Sequence, residues 1–379
     1  MKLKGKHGQL KSKHRRRLNT VLSRTIPRFE TLKSRYWRPN FAKVSDDIDP
    51  LPPKYAALAP HLQDYEILTA RVWLPYIMNG VYPRIKSASV NTDGYGFRYV
   101  ISDEGRRLSP ENGCEGPVSI LTGGSTPFGV GVTSDAATIP SVLATQRNEP
   151  WFNLSVRGFT LAQNLVQTLF FLPRIGEVRY IVLCAGLNDI NHFFKTQIFP
   201  KVYGSFYNWM QYFHQLNPQF FMGRKGEISY PESFNLLLQP IEDHTKDRSS
   251  FEDHLTNVLR SWKLIADAKN SRLCFVIQPV SEWMDRKLSP EEHMLFGDRH
   301  GKKQCFNRKV AKNYKEWYGE FLKNACKNLS IDFTDMNPTF GRRESESPRW
   351  LFLDNCHFTD DGAKETAHYI NEILGPPGK

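Results

Sequence analysis

The sequence contains no uninterrupted apolar run of about 18 residues or more, so a membrane-spanning helix is not expected. Its six cysteines (Cys114, Cys184, Cys274, Cys305, Cys326 and Cys356) include no CxxC pair, which removes the usual spacing of a zinc knuckle or a redox motif. Cys184 and Cys274 fall inside apolar runs and read as small core residues. There is no P-loop and no dinucleotide-binding glycine fingerprint. The G-x-S-x-G nucleophile elbow is missing too. His244, His254 and His293 lie near acids but lack tight ligand spacing, so no metal site is expected there. No apolar segment follows the first positive charges in the manner of a secretory signal, and a reduced, cytoplasmic setting is the expectation.

Acidic residues are nearly absent from one end. Residues 1–40 carry thirteen Lys and Arg against a single acid, Glu30, while the whole chain of 379 residues has a net charge of +12. Residues 41–379 are therefore balanced, and the basic character belongs to the tail. A stretch such as KSKHRRR reads as a solvated, disordered segment or as a contact for an anionic partner: nucleic acid, acidic lipid or an acidic polymer.

What remains is patterned. Residues 1–50 read as basic tail and linker, and residues 51–115 as a preamble that packs on the domain that follows, residues 116–376. In the preamble, LQDYEILTARVWLPYIMNG is expected to be partly helical, and VNTDGYGFRYV places turn residues between short β-prone pieces. From residue 116 to 376 strand-like and helical stretches alternate. VSILTGG, WFNLSV, VRYIVLCAGL, RLCFVIQPV and IDFTDM are strand-like. Between and after them come the helical stretches TIPSVLATQ, LAQNLVQTLFF, FEDHLTNVLRSWKLIADAKN, NYKEWYGEFLKNACKN and DGAKETAHYINEIL, the third a long one with apolar residues at helical spacing. Continuous apolar strands alternating with helices imply a parallel, doubly wound α/β sheet. Residues 191–250 break the rhythm with a long, aromatic excursion that reads either as a lid or binding element or as a peripheral helical insertion.

In open parallel sheets ligands bind outside the carboxyl ends of the strands. Four polar stretches fall there: Gly123-Gly124-Ser125; Asn153 and Gly158; Gly186, Asn188 and Asp189; and Asp354 with His357 near the C-terminus. Taken singly, each is ordinary loop chemistry. Together they hold the parts of an acyl-transfer site. A serine hydroxyl attacks well only when a base such as His357 takes its proton. Asp354, three residues earlier, can hold the other ring nitrogen. The developing oxyanion needs donors, and the Ser125 N–H, the Gly158 N–H and the Asn188 amide are suitable in type. Cys356 lies beside His357, but sequence neighbours rarely point at one another, so a cysteine nucleophile is not expected.

These blocks resemble those of the SGNH hydrolase superfamily, the GDSL-type esterases and acyltransferases. The third block reads GxND, as Gly186-Leu187-Asn188-Asp189 does, and the last reads DxxH, as Asp354-Asn355-Cys356-His357 does. The match runs across roughly residues 116–374. One departure is Gly124, which stands where the GDS form has an aspartate. The resemblance implies a three-layer, flavodoxin-like fold with a five-stranded parallel sheet. It also implies Ser125, Asp354 and His357 as catalytic residues, an oxyanion hole of Ser125, Gly158 and Asn188, and no cofactor. The implied reaction is hydrolysis of a small-molecule, carbohydrate or lipid ester, or O-acyl transfer by the same groups. The rival from another class is a non-catalytic module of this fold that binds an anionic partner through residues 1–40.

Overall fold

The computed structural model describes residues 50–66, 72–195, 204, 244–297, 306–343 and 348–376. The basic tail, Cys305 and most of the 191–250 excursion lie outside the described residues, and with them the readings placed there. Among the described residues no helix is long and apolar enough to cross a membrane.

Nine strands are described. In the preamble β1 (Val72–Leu74) pairs antiparallel with β2 (Met78–Gly80), and β3 (Val100–Ile101) with β4 (Arg107–Leu108). The remaining five, β5 (Val118–Gly123), β6 (Trp151–Asn153), β7 (Val178–Ala185), β8 (Arg272–Ile277) and β9 (Asp332–Asp335), form one parallel sheet in the order β6-β5-β7-β8-β9. The register matches Ile120 with Phe152 and Ile181, Leu183 with Phe275, and Cys274 with Asp332. The order reverses between β5 and β7, the arrangement in which parallel sheets open a crevice at their carboxyl edge.

The apolar runs explain the positions. All six residues of β5 are buried, as are seven of the eight in β7, so both faces of these strands are covered. Such strands belong in the middle of a sheet with helices on each side. Helix Ile139–Arg147 packs with the closing helix Asp360–Leu374, and Leu161–Phe171 packs with the long helix His244–Ala268. Trp262 of that long helix is fully buried, and its indole N–H donates to Leu161 O. Cys184 and Cys274 are fully buried free thiols that burial pushes up to about 12, consistent with their reading as core residues.

Three local outcomes refine the sequence pattern. Among the described residues of LQDYEILTARVWLPYIMNG, Gln63–Glu66 is α-helical, as expected of part of the stretch, and Val72–Gly80 forms the β1–β2 hairpin. Pro75 and the left-handed backbone of Tyr76 and Met78 make the turn that a helix there could not. The WFNLSV stretch gives only three residues of strand before leaving the sheet. The NYKEWYGEFLKNACKN helix begins earlier, at Phe306, and carries a π turn over Tyr314–Tyr318.

The preamble contributes a second, smaller core in which Tyr65, Ile77, Val81, Ile85 and Val90 pack with Phe128, Val130, Val156 and Phe159. Those last four residues flank the serine and second-block glycine stretches. Arg98, fully buried, donates to Asp135, to Gly129 O (2.7 Å) and to Tyr65 Oη (3.0 Å). Tyr65 Oη in turn lies 2.8 Å from Gly129 O and 2.6 Å from Val132 O, so its one hydrogen is shared between the two carbonyls. The preamble thus holds the backbone just after Ser125–Phe128.

Candidate active site

β5 ends at Gly123, and the chain enters a single helical turn, Ser125–Phe128, closed by Gly129 N–H donating to Ser125 O and Thr126 O. Ser125 opens this turn at the carboxyl edge of the sheet. A side chain at the preceding Gly124 would place its Cβ 2.5 Å from Asn188 Nδ2, so any larger residue there would have to displace the Asn188 amide from its present position.

The second block is pinned along β5. After β6 the chain runs past the end of its neighbour, with Leu154 N–H on Leu121 O and Val156 N–H on Gly123 O. Phe159 N–H closes a tight turn on Val156 O, with Gly158 at φ +77. Asn153, also at this strand end, is buried and committed to structure: its amide donates to Pro127 O and Phe128 O, bracing the serine turn from below. The third block follows β7. Asn188 donates one amide hydrogen to Phe159 O at 2.8 Å, which ties the third block to the second.

The last block closes the site. His357 Nε2 lies 2.8 Å from Ser125 Oγ, and its Nδ1 lies 2.6 Å from Asp354 Oδ2. Asp354 Oδ1 accepts the backbone N–H groups of Cys356 (2.9 Å) and His357 (2.8 Å), so one carboxylate both folds the loop and holds the ring. The side chains are 21% and 43% exposed for His357 and Asp354, which leaves the ring accessible from the surface. Residues 232 apart in sequence thus meet through the sheet edge. Ser125, His357 and Asp354 form a hydrogen-bonded series, Asn188 lies beside Gly124 at the start of the serine turn, and the Asn153 amide is spent on the carbonyls of that turn.

The electrostatics follow from this geometry. Burial pushes the Asp354 carboxyl up, but the adjacent imidazolium and the accepted hydrogen bonds outweigh it and bring it down to about 2. Burial would lower His357, yet the Asp354 carboxylate beside it prevails and raises the imidazole well above its ordinary 6.5. Asp189 behaves differently. It is 4% exposed, accepts Leu161 N–H at Oδ1 (3.1 Å), and has no partner for Oδ2 among the described residues. Burial raises its carboxyl from 3.8 to about 7, against the smaller pull of that hydrogen bond.

Cys356 lies closer to the reacting groups than its adjacency in sequence suggested. Its thiol is within 4.8 Å of the ligating atoms of Asp354 and His357. Burial raises its pKa further above the ordinary value, which disfavours the thiolate. Aspartate, cysteine and histidine are together a donor set a metal ion could use, but both ring nitrogens are already engaged, one by Ser125 and one by Asp354.

Two residues of the site carry no motif signal. Thr126 Oγ1 donates to Cys356 O (2.9 Å), and Gln278, just beyond β8, donates from Nε2 to Thr126 Oγ1 (3.0 Å). Asn337 supports the same corner, accepting Val280 N–H and donating to Gln278 O. The available signal was position alone: Gln278 is a polar residue directly after an apolar strand.

No protein-family model matches the chain, and no curated protein matches it either. Several solved structures are similar at low identity. Axe2, an acetylxylan esterase from Geobacillus stearothermophilus, is 13% identical over 69% of this chain and 94% of its own, with a TM-score of 0.38. A member of the lipolytic protein G-D-S-L family from Veillonella parvula is 13% identical over 68% and 98%, also at 0.38. An alpha/beta hydrolase enzyme from the metagenome of Lake Arreo, Spain, is 11% identical over 70% and 97%, at 0.39. Likenesses this distant say nothing about chemistry, which stands on the side chains of the site.

Proposed function

We propose that the protein is a serine-dependent ester hydrolase of the SGNH type. The observation that carries this reading is the imidazole of His357, set 2.8 Å from the Ser125 hydroxyl and 2.6 Å from the Asp354 carboxylate. In this reading Ser125 Oγ attacks the ester carbonyl while His357 Nε2 takes its proton. Asp354 keeps Nδ1 protonated and stabilises the imidazolium that forms. The tetrahedral oxyanion takes hydrogen bonds from the Ser125 N–H, the Gly158 N–H and the second amide hydrogen of Asn188. The imidazolium then gives its proton to the leaving alkoxide, leaving a seryl ester. Water, deprotonated by the same ring, attacks that ester and restores Ser125. Each step needs only groups of this chain, an ester and water. Transfer to an alcohol would use the same residues, the alcohol standing where water stands.

The test is covalent labelling by a fluorophosphonate, followed by mapping of the modified peptide, alongside hydrolysis of p-nitrophenyl acetate. Label on Ser125, and loss of both label and turnover in Ser125→Ala, is the expected result. Undiminished turnover in that variant refutes the assignment.

A further inference from the structure

Thr126 and Gln278 belong to neither the serine nor the histidine chemistry, yet both are buried where the two loops meet, 2% and 3% exposed. The Thr126 hydroxyl oxygen receives the Gln278 amide hydrogen, so its own single hydrogen is left to point at Cys356 O. That carbonyl belongs to the peptide joining Cys356 to His357. The N–H of the same peptide donates to Asp354 Oδ1 at 2.8 Å. One peptide plane, the one that carries the His357 backbone, is therefore gripped at both edges.

We propose that Thr126 and Gln278 are positioning residues that lock this peptide and so set the distance between His357 and Ser125. The inference rests on the serine-hydrolase reading of the site. Thr126 is covalently joined to Ser125, and Cys356 to His357, so the bond from Thr126 to Cys356 O ties the two backbone segments together one residue away from the reacting pair. Gln278 supplies direction. Without its N–H, the Thr126 hydroxyl is free to rotate toward other acceptors, and the carbonyl loses its donor for part of the time. Gln278 is itself held to the neighbouring strand, its own N–H donating to Ala185 O at 3.0 Å. The polar chain thus joins the ends of β7 and β8 to the serine and histidine loops. Displacing a catalytic group by about 1 Å can lower turnover about 10²-fold without affecting substrate capture.

The experiment compares wild type, Thr126→Ser, Thr126→Val, Gln278→Leu and the Thr126→Val/Gln278→Leu double variant. The readouts are kcat and KM on p-nitrophenyl acetate and the rate of fluorophosphonate labelling. Thr126→Val is expected to lower kcat and the labelling rate about ten- to a hundred-fold with KM nearly unchanged. Thr126→Ser, which keeps the hydroxyl, is expected to restore most of the rate. Because the two residues act through one hydrogen, the double variant should be no slower than Thr126→Val alone. Wild-type rates in Thr126→Val, equal damage in Thr126→Ser, or fully additive losses would each overturn the proposal. If Thr126→Val fails to give a cooperative thermal transition, Gln278→Leu carries the same test, since wild-type rates there are equally fatal. A wild-type protein that takes no label on Ser125 overturns the hydrolase reading as well, whereas a labelled wild type with an unimpaired Thr126→Val overturns this inference alone.

Discussion

Asp189 offers a measurement of how the site is held together. Its carboxyl is buried between the third block and the start of helix Leu161–Phe171, with one oxygen on Leu161 N–H and the other unpartnered among the described residues. An unfolded chain releases this proton near 3.8, whereas burial holds it to about 7 in the fold. Between those values the folded protein keeps a proton that the unfolded chain has lost, so stability falls as pH rises through the window. Each decade of pH is worth about 1.4 kcal/mol, so the loss approaches about 4 kcal/mol by neutral pH. Asp189→Asn has the shape of the protonated acid and keeps the Oδ1 acceptor, but it cannot ionise. The variant should match wild type below about pH 4 and exceed it increasingly above, with its advantage growing by about 2–3 kcal/mol between pH 5 and pH 8. Guanidinium unfolding of both proteins across that range reads the difference directly. An advantage that does not change with pH, or a variant weaker than wild type at every pH, would refute the reasoning.

Three further outcomes are expected. Because His357 must be neutral to accept the serine proton and Asp354 holds its pKa well above 6.5, hydrolysis should rise with pH along a limb centred above that value. Asp354→Asn should move the limb to lower pH and reduce kcat on the order of 10⁴-fold, as a pH–rate profile would show; an unmoved limb contradicts the pairing. Asn188→Ala should lower kcat by roughly 10²–10³-fold with the fold intact by circular dichroism, and a loss confined to KM would remove Asn188 from the oxyanion role. Asp135→Asn leaves the fully buried Arg98 guanidinium without its carboxylate, for which thermal or denaturant unfolding should report a loss of about 3–5 kcal/mol. An unchanged transition would show that the Arg98 contacts with backbone carbonyls suffice by themselves.

The middle of the sheet was legible because its strands are covered on both sides. Stretches such as VSILTG, VRYIVLCA and RLCFVI are apolar along almost their whole length, and the alternation of these with amphipathic helices leaves few arrangements open, with the more polar β9 at the edge. Ser125, Asn188, Asp354 and His357 were legible because each is a polar residue at a strand end or in a motif-like loop, and the structure brings them together. The β1–β2 hairpin was not, since its strands are three residues each and the turn between them rests on left-handed backbone at Tyr76 and Met78, which no glycine marks in the sequence. Nor were Thr126 and Gln278. Their meeting depends on β7 lying between β5 and β8, an order set by crossovers and not by the pattern within any strand. Asn153 shows the converse case, a polar residue at the right strand end whose amide is spent on carbonyls beneath the serine turn.

The grip of Arg98 and Tyr65 on Gly129 and Val132 has a consequence for where this molecule can be cut. Motif blocks alone would begin the working part at the first sheet strand, yet the floor under the nucleophile is laid by residues encoded well upstream. A polypeptide started at residue 116 would keep every reactive side chain and lose the foundation on which Ser125 sits. Shuffling or grafting of this site onto another scaffold has to carry the upstream piece along.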